Sequence, residues 1–440
     1  VAAKRVFLTV SIAQHKARAA WPALPITILL IAFALPPETS VSIGSLRLSP
    51  YRLTIMFFLV PAIGLLFQNR KTPLCLPDGL LFLHSAWAAA ALIFSMGFSE
   101  GIETAGIYFI ETFGAYAMAR AYVQTVADFT NVIRLIFTIA ATLLVFAALE
   151  AFSGAHLLRD PFQAVFGGSG PHAVEPRLGM TRAFASFEHP ILYGVFVASA
   201  FAGTYYVLCD AQLNAGSLKK LGAVVLATFF SLSGGPFTAL GFQMGLIAWD
   251  RMTRGISGRW NILTGFFIGT WLVISLLSNR SPILIFISYL TFSADSAYNR
   301  IHVWNYGTAE VARHPFIGLG LGEWIRAPWM SSSMDNFWLL TTMRYGVPAL
   351  VFLLLTIVVL SNKLKKAGRQ SPLCRNPAKA WLVTILSFTI AGLTVHFWNA
   401  LMVQFFFLIG CGLAATYSAR TSAHPFHQPR PSPRSSLTWS

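Results

Sequence analysis

The chain has 440 residues, 55% of them hydrophobic and only 11% charged, with a mean hydropathy of +0.62. Water-soluble proteins of this length carry far more charge, so the composition argues against a soluble enzyme and for an all-α polytopic membrane protein. The formal net charge of +16 invites a nucleic-acid partner, but the placement of the charges argues against one.

A membrane-crossing helix needs about 20 mainly apolar residues. About twelve such windows follow one another, at 22–37, 51–67, 79–97, 105–123, 131–152, 184–208, 219–233, 236–250, 261–278, 337–360, 379–397 and 399–418. The first is short and flanked by proline; it lacks a small-residue cleavage site and reads as an anchor rather than a removed signal. The pair over 219–250 is divided only by "SGGP", and the last two windows only by "HFWN". This organisation gives a cytoplasmic N-terminal segment at 1–21 and a transmembrane domain at 22–418. The Pro- and Ser-rich tail at 419–440 lacks periodicity and is expected to be disordered and cytoplasmic.

With both termini cytoplasmic, twelve spans put every lysine and most arginines on the cytoplasmic side, the pattern of the positive-inside rule. The basic excess is then mostly topology, with contact to anionic membrane lipids as a secondary effect. Ten basic residues fall on the outer side, and all are arginine: 47, 52, 159, 177, 182, 280, 300, 313, 326 and 344. Topology gives no reason to collect them there. None of the four cysteines lies on the outer side, no disulfide is expected, and no Cys/His spacing suggests a metal.

Two outer loops are long, at 153–183 and 279–336. Long loops in a compact protein usually carry function or are disordered. The second is too aromatic and apolar for disorder and reads as short amphipathic helices at the membrane interface. No internal repeat or inverted pair of broken helices is visible, which weakens a secondary-transporter reading.

Three stretches concentrate polar chemistry. In "PRLGMTRAFASFEHPILYG", Arg177 and Arg182 precede a span, either as interfacial snorkelling residues or as ligands, and His189 stands at a helix start before Pro190. In "AYNRIHVWNYGTAEVARHPFIGLGLGEW", the spacing of Arg300, Trp304, Ala309 and Arg313 fits an amphipathic helix that His314-Pro315 would end. The following Gly318, Gly320 and Gly322 match no dinucleotide or P-loop fingerprint. They read either as a flexible turn or as close backbone approach to a ligand with free N–H groups for an anion. In "SSSMDNFWLLTTMRYGVPALVFLLL", Asp335 beside Asn336 reads as a helix cap, an acceptor-binding group or a base.

Together, and in this order with "SLSGGPFTALGF" between the first and second, these stretches resemble the O-antigen ligase and polymerase superfamily of bacterial membrane glycosyltransferases. The resemblance covers roughly residues 175–360. It implies a GT-C-like architecture and a periplasmic reaction without nucleotide sugars, cofactors or metal. The implied partners are an undecaprenyl diphosphate-linked oligosaccharide donor and acceptor, with a chain-length regulator or export proteins, in the bacterial inner membrane. It further implies that Arg300, Arg182 and Arg177 hold the diphosphate. Asp335-Asn336 stands where ligase-like members carry His-Asn, so the chain is more similar to the exopolysaccharide-polymerase (ExoQ-like) branch. Expected catalytic residues are Asp335, Arg300 and Arg182; expected substrate contacts are Arg177, His189, Arg313, His314, Gly320, Gly322 and Asn336. The alternatives are a ligase attaching glycan to lipid A-core or another hydroxyl, and a flippase or polysaccharide exporter.

Overall fold

The computed structural model describes residues 21–44, 46–68, 72–168, 170–279, 281–289, 294–331 and 333–423. Residues 1–20, Arg280 and the expected tail beyond Ala423 lie outside them. Each of the twelve apolar windows overlaps a helix, several of them only in part. In chain order these are α1 (Leu24–Phe33), α2 (Pro50–Gln68), α3 (Leu76–Met96), α4 (Phe98–Phe109), α5 (Ala115–Tyr122) and α6 (Val126–Ser153). A short α7 (Arg159–Phe166) lies in the first long loop. Then come α8 (Pro190–Ala198), α9 (Ala200–Gly203), α10 (Ala215–Phe229), α11 (Gly234–Met252) and α12 (Arg259–Leu277). The second long loop carries α13 (Pro282–Tyr289) and α14 (Ala294–Arg313). The chain continues through α15 (Phe337–Gln370), α16 (Pro372–Ala391) and α17 (Ala400–Ala423). A two-stranded antiparallel hairpin, β1 (Val41–Ile43) with β2 (Leu46–Leu48), pairs Ser42 with Arg47.

Local sequence explains the ends. Thr125 caps α6 by accepting from Asp128 N at 3.1 Å while the Asp128 carboxylate accepts from Thr125 N at 2.9 Å. Gly154 closes the same helix in a left-handed conformation, φ 75°. The window at 105–123 is a composite: α4 passes through a π turn at Ile110–Gly114 into α5. Such turns insert one extra residue and re-aim a side chain. Here buried Glu111 meets Arg52 Nε at 2.6 Å, on another helix, so it pairs outside its own helix and away from Arg120.

Among the described residues, six helical segments are long and apolar enough to cross a membrane: Pro50–Gln68, Leu76–Met96, Val126–Ser153, Pro190–Leu208, Arg259–Leu277 and Phe337–Gln370. α1 and the first part of α17 are shorter apolar helices. The layering supports a lipid solvent. From Leu401 to Ala414, α17 is buried on every face, so it is the inner helix on which the others pack. α12 is equally apolar and has no buried residue. A helix apolar all round belongs in a core or in a bilayer, and α12 is not in the core. Phe57, Phe67, Phe94, Phe152, Leu276 and Leu277 add to an apolar exterior that water would not tolerate. The architecture is therefore all-α and compatible with a multi-pass membrane protein.

Several buried polar side chains bond one another across helices. Gln243 donates to Ala198 O at 2.9 Å and Ser387 Oγ at 3.2 Å and accepts from Ala202 N at 3.0 Å, tying α8, α9, α11 and α16 together. Gln404 of α17 donates to Ser199 Oγ at 2.9 Å. In an apolar surround, an unsatisfied amide costs several kcal/mol, so these bonds fix relative helix position.

Two boundaries differ from the sequence expectation, and both concern the site. The window at 184–208 becomes helical only at Pro190. The expected tight "HFWN" link is a longer non-helical stretch, running from Gly392 to Asn399. Ending α16 early frees carbonyl lone pairs, and other segments use them: Phe337 N donates to Gly392 O at 2.8 Å and Val395 O at 3.1 Å.

Candidate functional site

Four segments distant in sequence converge here: residues 176–189, the turn 230–233, the stretch 392–399, and α14 with the start of α15. The first is held against the bundle by a buried carboxylate. Glu150, near the end of α6, accepts from Phe184 N at 3.1 Å and Ala185 N at 2.8 Å and also bonds His156 Nδ1. Those bonds offset the cost of Ala185 in a left-handed conformation, φ 49°. Arg159 Nε donates to Glu38 at 2.9 Å and Nη1 to Phe187 O at 3.3 Å, pinning the same segment from α7.

On this platform Arg177 sits in a tight turn closed by reciprocal 3.0 Å bonds with Met180. Its Nη1 donates to Leu232 O at 2.8 Å. Arg182 is 8% exposed, and its Nη2 donates to Ser233 Oγ at 2.7 Å. Among the described residues its buried Nε has no hydrogen-bond partner. Arg300, in the second turn of α14, donates through Nη2 to Thr394 O at 3.2 Å.

Arg177 acts on both of the other guanidiniums. Burial and the neighbouring Arg177 charge push Arg182 down to about 10. Burial also lowers Arg300, opposed by Asp335 and reinforced by Arg177. Asp335, the carboxylate facing Arg300, is raised by burial more than the Arg300 charge and the Ser333 hydroxyl lower it. Like charges gathered at the edge of an apolar bundle are costly, and an anion relieves that cost.

Asn336, and not Asp335, caps α15: its Oδ1 accepts from Leu339 N at 3.0 Å. The Asp335 carboxylate is free of the capping duty and accepts from Ser333 Oγ at 3.3 Å. His189 caps α8, its Nδ1 accepting from Ile191 N at 3.1 Å. Burial, then Arg182, His172 and Arg177, push it down to about 3, so the ring is neutral and Nε2 carries the proton. Its ring stacks on His172 at 5.4 Å and meets Trp398 at 5.9 Å, and Trp398 lies 5.5 Å from His396. Burial and Arg344 push His396 down to about 3 as well. The cluster thus combines cations, neutral imidazoles and an indole, with one carboxylate, Asp335, beside Arg300.

The structure brings together Arg177, Arg182, His189, Arg300, Asp335 and Asn336. It places the other four expected contacts elsewhere. Arg313 Nη1 bonds Glu310 at 2.9 Å and His314 lies 3.4 Å from the same carboxylate, which also accepts from Ile325 N at 3.2 Å. These residues fasten a loop. Arg313 is thirteen positions beyond Arg300, about 20 Å along the helix. The glycines approach backbone and not a ligand. Leu319 N donates to Met343 O at 2.8 Å, Gly320 N to Arg344 O at 3.0 Å and Gly322 N to Leu319 O at 3.1 Å. Their N–H groups are taken, so they do not form the expected anion nest. Opposite them Gly346 breaks α15 at φ 80°, where an added Cβ would lie 1.9 Å from Phe316 O.

Most other outer arginines also meet acids: Arg47 with Glu188 at 3.7 Å, Arg52 with Glu111, Arg159 with Glu38, and Arg326 with Glu323. Sequence reasoning missed Ser233, Thr394, His396, Trp398 and His172. The "HFWN" run carried the signal for two of them, since Trp and His beside a helix break are rarely mere linkers. No family model, curated protein or solved structure matches the chain.

Proposed function

We propose that the chain is a metal-independent, GT-C-like membrane glycosyltransferase with about twelve spans, of the polysaccharide-polymerase kind. It transfers a growing glycan from an undecaprenyl diphosphate carrier to a lipid-linked repeat unit at the periplasmic face of the bacterial inner membrane. Both termini are cytoplasmic in this reading. The observation that carries it is the convergence of Arg177, Arg182 and Arg300 from two segments over a hundred residues apart, with the Asp335 carboxylate beside Arg300.

The chemistry follows from the groups. An acceptor hydroxyl oxygen attacks the anomeric carbon of the donor; the bond from that carbon to the diphosphate oxygen breaks, and its electron pair leaves with the phosphate. Arginine forks bind phosphate oxygens bidentately and stay ionised, so they stabilise the charge that develops on the leaving group. Asp335 takes the proton from the attacking hydroxyl, a role for which a carboxylate raised above its usual range is better suited than an unshifted one. Neutral His189 offers an N–H to a substrate oxygen without adding charge. The Asp335-Asn336 pair, in place of His-Asn, favours the polymerase over the ligase.

Purified protein incubated with lipid-linked repeat units tests the proposal. Chain extension is expected from the wild type and lost in the double variant Arg182→Gln, Arg300→Gln. Normal extension by that variant overturns the role of the cluster.

A further inference from the structure

Glu188 and His189 are consecutive and belong to different surroundings. His189 joins the arginine cluster, whereas Glu188 lines a pocket on the other side of the chain. Trp398 and Asn399 repeat the pattern: Trp398 packs near His189, and Asn399 lines the pocket and donates to Glu188. Two non-helical segments thus each give one residue to the cluster and the next to a second cavity.

That cavity offers about 80 Å³ of accessible space, partly open to solvent, which is well under a drug-sized site and several times the room one water needs, enough for a single small ring. Its charges cancel locally. Arg52 is bonded to Glu111 at 2.6 Å, and Arg47 lies 3.7 Å from Glu188. An anion gains little here, in contrast to the neighbouring arginine cluster. Ser186 Oγ lines the cavity, is 1% exposed and has no hydrogen-bond partner among the described residues. A buried hydroxyl left in this state calls for a ligand or a water. Phe33, Pro36 and Tyr51 supply apolar walls. A carboxylate, an amide and a hydroxyl beside apolar surface match one ligand chemistry: hydroxyl groups on a ring with one apolar face.

We propose that this pocket binds a neutral sugar ring, with Glu188, Asn399 and Ser186 as its hydrogen-bonding groups. Assigning that sugar to the receiving glycan rests on the glycosyl-transfer reading; the binding itself does not.

Saturation-transfer NMR on the full chain in nanodiscs, free of glycosidic detergent, tests it with methyl β-glucopyranoside and methyl β-galactopyranoside as probes. Saturation of glycoside ring protons is expected for at least one probe. Glu188→Gln keeps the bond from Asn399 and lowers affinity about tenfold, the worth of one charge-assisted hydrogen bond. Ser186→Val fills the cavity and gives a loss at least as large. Both variants are compared at the wild-type thermal midpoint, and one that keeps its fold suffices. Inorganic pyrophosphate should leave the glycoside signal unchanged. No transfer to either probe in the wild type, equal transfer in a folded variant, or displacement by pyrophosphate overturns the proposal. Absence of pyrophosphate binding alone counts against the arginine-cluster reading and leaves this one standing.

Discussion

Arg182→Gln exchanges a buried guanidinium for a neutral amide that can still donate to Ser233 Oγ, now 2.7 Å from the arginine. The depression of Arg182 to about 10 corresponds to about 3 kcal/mol of destabilised charge, which solvent screening reduces to about 2 kcal/mol. The unfolded chain keeps the ordinary, higher value. Below about pH 10 both states carry the charge, so the whole penalty acts at neutral pH and is relieved only as the pH rises past that value. Removing the charge should therefore stabilise the ligand-free protein. With about 2 cal/mol/K of unfolding entropy per residue, a chain of 440 residues gains about 2 °C in Tm from about 2 kcal/mol. The same change removes a charge-assisted contact to phosphate worth about 1.5–3 kcal/mol, so affinity for pyrophosphate falls about 10- to 100-fold. Intrinsic-fluorescence melting and calorimetric titration with pyrophosphate read the two effects on one sample. A lower Tm, or an unchanged affinity, refutes the reasoning that the cluster is held in repulsion for an anion.

Asp335→Asn removes a charge facing Arg300 while Asn336 keeps the cap, so pyrophosphate should bind at least as tightly and chain extension should be lost. Burial holds the wild-type carboxyl above its usual range, and the ionised base accumulates as pH rises through that raised value. The extension rate should rise over the same interval and show no such rise in any residual activity of the variant. Gly346→Ala forces an L residue to φ 80° with its Cβ 1.9 Å from Phe316 O; a loss of about 3 kcal/mol or more is expected, seen as a collapsed yield of monodisperse protein. Arg313→Gln breaks only a half-exposed pair with Glu310, so Tm should shift by about 1 °C or less and pyrophosphate affinity should not change.

Much of the helical order was legible because lipid-facing and core-facing helices are both apolar, and length then suffices to find them. Helix ends were less legible where tertiary bonds decide them. Nothing local says that 184–189 stays out of the helix; the reason is Glu150, thirty-four positions upstream of Phe184, accepting its N–H. The cluster was half legible. Arg177, Arg182, Arg300 and Asp335 stood out as polar residues without a topological reason, whereas Thr394 and Ser233 act through a carbonyl and a hydroxyl that any loop contains. Cap assignment between Asp335 and Asn336 turned on a one-residue offset that propensity cannot resolve. The glycine run did signal close backbone approach, but the partner is the broken helix opposite, a contact that spacing alone does not name.

The break at Gly346 divides α15 into two helical parts. Residues 337–345 are anchored to the 392–395 carbonyls and to the loop bearing Gly318 and Gly320, whereas the longer part runs on to Gln370 with its outer face exposed. A long apolar helix adapts to a thinner or thicker bilayer by tilting, at a cost of fractions of a kcal/mol per Å of mismatch. In a continuous helix that tilt would swing its capped end, and Asp335 with it, past Arg300. Here the longer part is itself held at the break, where Val347 N donates to Pro315 O at 2.7 Å, in the loop that also bonds Met343 O and Arg344 O. The residue that costs the helix its continuity thereby lets one loop bond both of its parts.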